Sequence, residues 1–98
     1  MEKRNAVAND YFVLYYQKNH DLENFRFAIS VPKKFGKAHE RNLMKRRIRE
    51  IVKLNYFKKD IEFFVIAKMK SKELEFKEIK ASIENLITKA KLLKERDK

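Results

Sequence analysis

The sequence has no cysteine and no tryptophan, a single glycine, a single proline and only two histidines in 98 residues. Without cysteine there is no disulfide, no thiolate nucleophile and no zinc–thiolate site. His20 and His39 lie far apart, and neither has a second ligand at metal-binding spacing, so each reads as a surface or capping residue. No metal site and no catalytic residue is expected in the chain. The scarcity of glycine and proline argues for regular elements over loops. No run of about 18 apolar residues occurs, and no apolar segment of the kind a secretory signal needs follows Met1–Asn5, so a cytoplasmic protein is expected.

Acidic residues are also in short supply: 14 Asp and Glu face 25 Lys and Arg, a net charge of +11. A surplus of that size on a small chain favours a polyanionic partner such as RNA, DNA or an acidic membrane. What is present in quantity is apolar and aromatic: 44% hydrophobic residues, with eight Phe and four Tyr, enough for a modest core. One domain over residues 1–98 is expected, with no repeat, low-complexity tract or linker.

Residues 1–10 read as a short extended lead-in. Tyr11–Tyr16 is a run of aromatic and β-branched residues, so it reads as a strand. Alternation puts Tyr11, Val13 and Tyr15 on one face and Phe12, Leu14 and Tyr16 on the other. Residues 17–24 are turn-rich. Phe25–Val31 reads as a second strand, ended by Pro32, which lacks a ladder donor. An antiparallel hairpin of these two strands is expected. Lys33–Lys37 is a basic loop in which Gly36 suits a left-handed turn. From Ala38 to Asn55 the pattern turns helical, with Met44, Ile48, Ile51 and Val52 inside one arc of about 100°. Residues 60–67 form a short apolar run with buried-strand character. Phe76, Ile79, Ile83, Leu86, Ile87, Ala90 and Leu93 then mark an amphipathic helix, followed by a charged tail, 94–98, that is expected to fray. The order strand, strand, basic helix, strand, helix implies an α/β layered domain with helices packed on a sheet.

The window Lys33–Lys53 carries +7 of the net +11 in 21 residues. On a helical wheel Arg41, Asn42, Lys45, Arg46, Arg49 and Lys53 cover a continuous arc of roughly 140° beside the apolar stripe. Arg41, Lys45 and Arg49 stack at i, i+4 and i+8, a row of like charges about 12 Å long that repels itself. A row of phosphates relieves that repulsion, and the guanidinium fork can hold two phosphate oxygens at once. A merely solvated face would interleave acids at i+4. Only Glu40 and Glu50 fall in the window, and Glu50 is off the arc. The aromatic face bearing Tyr11 and Tyr15 has two readings, ordinary core or a platform on which unpaired bases stack.

The segment from Ser30 to Glu50 (SVPKKFGKAHERNLMKRRIRE) resembles the signature of the bacterial ribonuclease P protein subunit. There, a strand ending in Ser-Val-Ser-Lys-Lys runs through Gly-Asn-Ala into a helix reading Arg-Asn-Arg-x-Lys-Arg-x-x-Arg-Glu. Val7–Asn9, Phe12–Tyr15 and residues 60–67 also look like strands of that family, so the likeness spans about residues 7–93. The resemblance implies a two-layer α+β sandwich, a small mixed sheet with helices packed on it. The implied topology is like that of ribosomal protein S5, with a left-handed βαβ crossover. It further implies ribonuclease P RNA and precursor tRNA as partners, with no membrane or DNA role. The magnesium-dependent hydrolysis would belong to the RNA. By this likeness Lys33, Lys34, Lys37, Arg41, Asn42, Lys45, Arg46, Arg49 and Lys53 meet RNA, and Tyr11, Val13 and Tyr15 line a cleft for the 5′ leader.

Departures from the family pattern are Leu43 in place of a basic residue, Lys37 in place of Asn, Pro32 in place of Ser and Arg47 where an apolar residue is common. Nothing in residues 1–6 matches the amphipathic helix that usually precedes the first strand, so weaker leader binding is expected. Two other functions compete with this one. A stand-alone module for structured or single-stranded RNA would share the basic helix and aromatic sheet. A protein-only nuclease would need clustered carboxylates or histidines, which the sequence does not offer. A membrane-surface helix is disfavoured because the apolar face of 38–55 is needed for the core.

Overall fold

The structure is a computed structural model that describes residues 5–93. Four strands and two helices follow one another as β1 (Asn5–Ala8), β2 (Phe12–Lys18), β3 (Arg26–Ser30), α1 (Ala38–Lys53), β4 (Ile61–Ala67) and α2 (Phe76–Ala90). Short 3₁₀ turns at Lys33–Phe35 and Met69–Glu73 precede α1 and α2 respectively. The sheet is mixed, in the order β1-β2-β4-β3, with β3 parallel to β4 and the other pairs antiparallel. This is the small mixed sheet with helices packed on it expected for the α+β class.

The expected hairpin between residues 11–16 and 25–31 does not form. β4 lies between them, pairing antiparallel with β2 and parallel with β3. A βαβ unit runs through α1 to make the parallel pair, and a parallel neighbour needs such a crossover. The true hairpin is β1–β2, so the lead-in contains an edge strand. Asn9 closes that hairpin: its side-chain oxygen accepts from the backbone N–H groups of Tyr11 (2.9 Å) and Phe12 (2.8 Å). Its amide nitrogen donates to Ser82 Oγ at 2.8 Å, so the turn is also pinned to α2.

The core lies between one face of the sheet and the two helices. Phe12 and Leu14 from β2, and Ile61, Phe63, Val65 and Ala67 from β4, point into it. They meet Met44, Ile48, Ile51 and Val52 of α1 and Ile79, Ile83, Leu86 and Ile87 of α2, the stripes anticipated from helical spacing. At one end the rings of Phe25, Phe27, Phe57 and Phe63 stack, with Phe57 and Phe63 centroids 4.8 Å apart. An isolated bridge from Phe57 to Leu93 ties this corner to the chain beyond α2. Residues 94–98, expected to fray, lie outside the described residues.

Gly36 does not adopt the left-handed conformation expected of it. Its φ of 161° and ψ of −164° describe extended backbone open to any residue. A Cβ there would sit 2.5 Å from Glu40 Oε1, so the glycine makes room for a carboxylate. That carboxylate accepts from the Lys37 backbone N–H at 2.9 Å, satisfying a free donor at the start of α1.

Candidate RNA interface

Two surfaces come out of this fold. The first is the exposed flank of α1. With Met44, Ile48, Ile51 and Val52 fixed against the core, helical geometry turns the next arc outward. Asn42, Arg46, Arg49 and Lys53 are exposed there, while Arg41 and Lys45 are half-buried at its inner edge. Lys33, Lys34 and Lys37, on the 3₁₀ turn and at the start of α1, are exposed and continue the basic surface past the helix N-terminus. Among the described residues, the Nε of Arg41 is the buried side-chain nitrogen that lacks a hydrogen-bond partner. No described carboxylate is paired with Arg41, Lys45, Arg46, Arg49 or Lys53. The repulsion along the row is therefore left standing.

Leu43 and Arg47, two of the departures from the family pattern, project from the other flank. They line a shallow groove of about 290 Å³ with Phe35, His39, Lys72 and Leu74. Glu40 lies in this groove as well, 3.5 Å from Lys72. Its carboxyl is held below the ordinary carboxylate value, chiefly by the hydrogen bond from the Lys37 backbone, with the Lys72 charge adding to it against some desolvation.

The second surface is the sheet face turned away from α1 and α2. Cross-strand pairing sets Ala6, Tyr15, Phe64 and Ala28 in one row and Ala8, Val13, Ile66 and Ser30 in the next. Phe64 is 37% exposed, and Val13, Tyr15 and Ile66 are half-buried, although all four are apolar or aromatic. A cavity of about 480 Å³ opens over this face, with Tyr15, Ala28 and Phe64 at its floor and Gln17, Arg26 and Glu62 at its polar end. Of the three expected cleft residues, Val13 and Tyr15 share this face. Tyr11 does not join them: it precedes β2 at the Asn9 turn, where strand alternation no longer holds, and packs against the core cluster.

Sequence reasoning missed the polar end. Glu62 Oε1 accepts from Gln17 Nε2 at 2.6 Å, and Oε2 accepts from Arg26 at 2.8 Å. The Gln17 hydrogen bond, and after it the Arg26 contact, keep the Glu62 carboxyl below its ordinary range despite partial desolvation. The signal available was the polar residue at an outward position of each of three neighbouring strands, but joining them requires the sheet order. β3 links the two surfaces, since α1 packs against it while its Ala28 and Arg26 line the sheet-face cavity. His20 sits 3.7 Å from Asp60 and His39 lines the groove beside α1. No cluster of metal-ligating side chains occurs among the described residues, and no helix there is long and apolar enough to cross a membrane.

Comparison with known proteins agrees with this architecture. The family model described as Ribonuclease P matches residues 1–91. The Ribonuclease P protein component of Staphylococcus epidermidis is 44% identical over 96 residues, covering 95% of this chain and 82% of that protein. The component from Acholeplasma laidlawii is 40% identical over 94 residues, covering 94% of this chain and 80% of its own length. Among solved structures, the Staphylococcus aureus RNase P protein superposes with a TM-score of 0.86 at 35% identity, covering 93% of this chain and 84% of that one. The Thermotoga maritima RNase P protein gives 0.80 at 31% identity, covering 89% and 84%.

Proposed function

Because the chain belongs to the ribonuclease P protein component family, whose members work with an RNA partner, we propose that it binds ribonuclease P RNA and the 5′ leader of precursor tRNA. In that role it assists magnesium-dependent maturation of the tRNA 5′ end. The observation that carries this reading is the pairing of two unlike surfaces on one small domain. One is a row of unpaired cations, the other an open aromatic sheet face.

The division of labour follows from their chemistry. Arg41, Lys45, Arg46, Arg49 and Lys53, with Lys33, Lys34 and Lys37, neutralise phosphates of structured RNA, and Asn42 adds a neutral donor and acceptor among them. Such contacts give affinity that falls with salt. Tyr15, Val13 and Phe64 offer a surface on which unpaired leader bases stack without strong sequence preference. In this reading Mg²⁺ is held by the RNA, which carries out the hydrolysis; among the described residues no cluster of metal-ligating side chains occurs. The protein lowers the electrostatic cost of bringing two polyanions together and fixes the leader relative to the cleavage site.

The test is selective binding. In complex with a bacterial ribonuclease P RNA, the protein is expected to favour precursor tRNA over mature tRNA, and the preference should grow over the first leader nucleotides. Equal affinity for both, matched by any structured RNA of similar size, would point instead to a general RNA-binding module.

A further inference from the structure

We propose that Tyr56, in the turn that leaves α1, is a stacking site for an unpaired RNA base, separate from the open sheet face. Resting on the function proposed above, that base belongs to the catalytic RNA that lies along α1. Tyr56 is 75% exposed, more than any other large apolar or aromatic side chain among the described residues. The other three tyrosines are used elsewhere. Tyr11 and Tyr16 pack against the core cluster, and Tyr15 lies at the floor of the sheet-face cavity, which Tyr56 does not line. Among the described residues none gives Tyr56 a ring contact, a cation over its ring or a hydrogen bond to its hydroxyl.

Its neighbours impose that exposure, because the residues on either side are both fixed inward. Asn55 Nδ2 donates to the Ile51 carbonyl at 2.9 Å and to Glu84 Oε2 at 3.1 Å, which ties the turn to both helices. Phe57 is buried in the aromatic stack, its ring centroid 5.1 Å from that of Phe25 and 4.8 Å from that of Phe63. The next backbone N–H, of Lys58, donates to the Leu92 carbonyl at 3.0 Å. The Tyr56 ring is therefore presented from anchored backbone. With only two side-chain torsions left to settle, little order has to be imposed when a flat group stacks on it.

Exposure alone is ordinary, since a single apolar residue on a surface needs no partner. The charge around Tyr56 is what points to a ligand. Residues 53–59 (KLNYFKK) hold Lys53, Lys58 and Lys59 and no acid. None of these lysines is ion-paired with a described residue. The acids close by are engaged, Glu84 with Asn55 and Lys80, and Asp60 with His20. An apolar protein partner would strip water from those ammonium groups and give nothing back. A nucleotide supplies both halves, a flat face for the ring and phosphates on either side of it for the lysines. Aromatic side chains set among cations are the means by which single strands are held without sequence preference. Lys53 is also the last member of the outward basic arc of α1, and Tyr56 follows three residues later, where that row stops.

The full chain and its Tyr56→Ala, Tyr56→Leu and Tyr56→Phe variants are titrated with a bacterial ribonuclease P RNA, without tRNA, at several salt concentrations. Alanine and leucine should each weaken binding by between about fivefold and a hundredfold, the range of one lost base stack. Phenylalanine keeps the ring and should bind as tightly as the parent. The salt slope should be unchanged in all three, because a stack releases no counterion, whereas Lys53→Gln should lower it by about one. Tm should not move, since the ring lies outside the core. Parental affinity in Tyr56→Leu would overturn the proposal, and so would a loss in Tyr56→Phe that matched the loss in Tyr56→Ala. A second titration, with a short single-stranded oligoadenylate, follows the Tyr56 ring protons by NMR, identified by their absence from Tyr56→Leu. A saturable upfield shift is expected, and ring protons that stay in place while other residues respond would count against the stack. If the parent bound ribonuclease P RNA no better than an unrelated RNA, the proposed function would fall and the oligoadenylate shift would still decide the site.

Discussion

The two faces of the sheet are built from nearly the same residue types and have opposite fates. Along β2, Phe12 and Leu14 are 0% and 1% exposed, while their neighbours Val13 and Tyr15 remain half-open on the other side. Along β4, Phe63 is buried at 4% and Phe64 stands at 37%. Hydrophobicity does not distinguish them. What does is that α1 and α2 both pack on the same face, so one set of side chains makes the core and the other is left facing outward. An apolar sheet face on which no described element packs is a candidate contact surface. Its polar end, where Gln17, Arg26 and Glu62 are joined, gives it a chemical direction that the core face lacks.

Substitution should break this symmetry most strongly in the buried set. Phe12→Ala is expected to cost about 3–5 kcal/mol in urea denaturation, enough to threaten the fold of a small domain. Phe64→Ala should cost less than about 1 kcal/mol in the same experiment, yet weaken binding of single-stranded leader RNA by about 1–3 kcal/mol. If the two substitutions had equal effects on stability, the open face would be core. On α1, Arg46→Ala and Arg49→Ala should leave the denaturation midpoint nearly unchanged. Each should also lower the salt slope of RNA binding by about one, as measured by titration at several salt concentrations.

Smaller effects test the ends of the helices. Gly36→Ala places a methyl group where Glu40 now sits and should cost about 0.5–2 kcal/mol through the weakened start of α1. Lys91 ends α2 at a left-handed φ of 58°, which favours glycine, so Lys91→Gly should do the reverse, stabilising the chain by about 0.5–1 kcal/mol in thermal or urea melts. The smallest effect is that of pH. Glu40 and Glu62 both titrate below their ordinary value of 4.5 in the folded chain. A lowered folded pKa contributes stability that is present above the ordinary value and is lost as pH falls through the lowered one. Acid titration of the folded fraction should therefore show a loss below that value that becomes shallower in Glu62→Gln.

Much of this was legible in the sequence, and the limits are physical. Both helices and the strand at 61–67 follow from spacing, because a helix stripe or a short apolar run is a local pattern. The +7 window named the basic surface for the same reason, and the match between Ser30–Glu50 and the family signature supplied its meaning. The strand order was not legible. Tyr11–Tyr16 and Phe25–Val31 are neighbours in sequence, but the partner of both is β4, some 30 residues farther on, chosen by the crossover through α1. Asn9 and Asp10 are turn formers, yet the short β1 before them has too little pattern of its own to read as a strand, and the family resemblance alone marked Val7–Asn9 as one. Gly36 misled because its reason is the close approach of the Glu40 carboxylate at the start of α1 and not its own backbone angle. The polar end of the open face escaped because Gln17, Arg26 and Glu62 are far apart in sequence and meet only once the sheet is assembled.

The most direct measurement is precursor-tRNA cleavage by a bacterial ribonuclease P RNA at low magnesium, with and without this protein. If the basic flank of α1 and the open sheet face position the leader and neutralise the RNA, the protein should restore cleavage at the mature 5′ end. Arg46→Ala, Arg49→Ala and Phe64→Ala should each reduce that rescue without unfolding the chain. A protein that binds the RNA and leaves low-magnesium cleavage unchanged would contradict the proposed role.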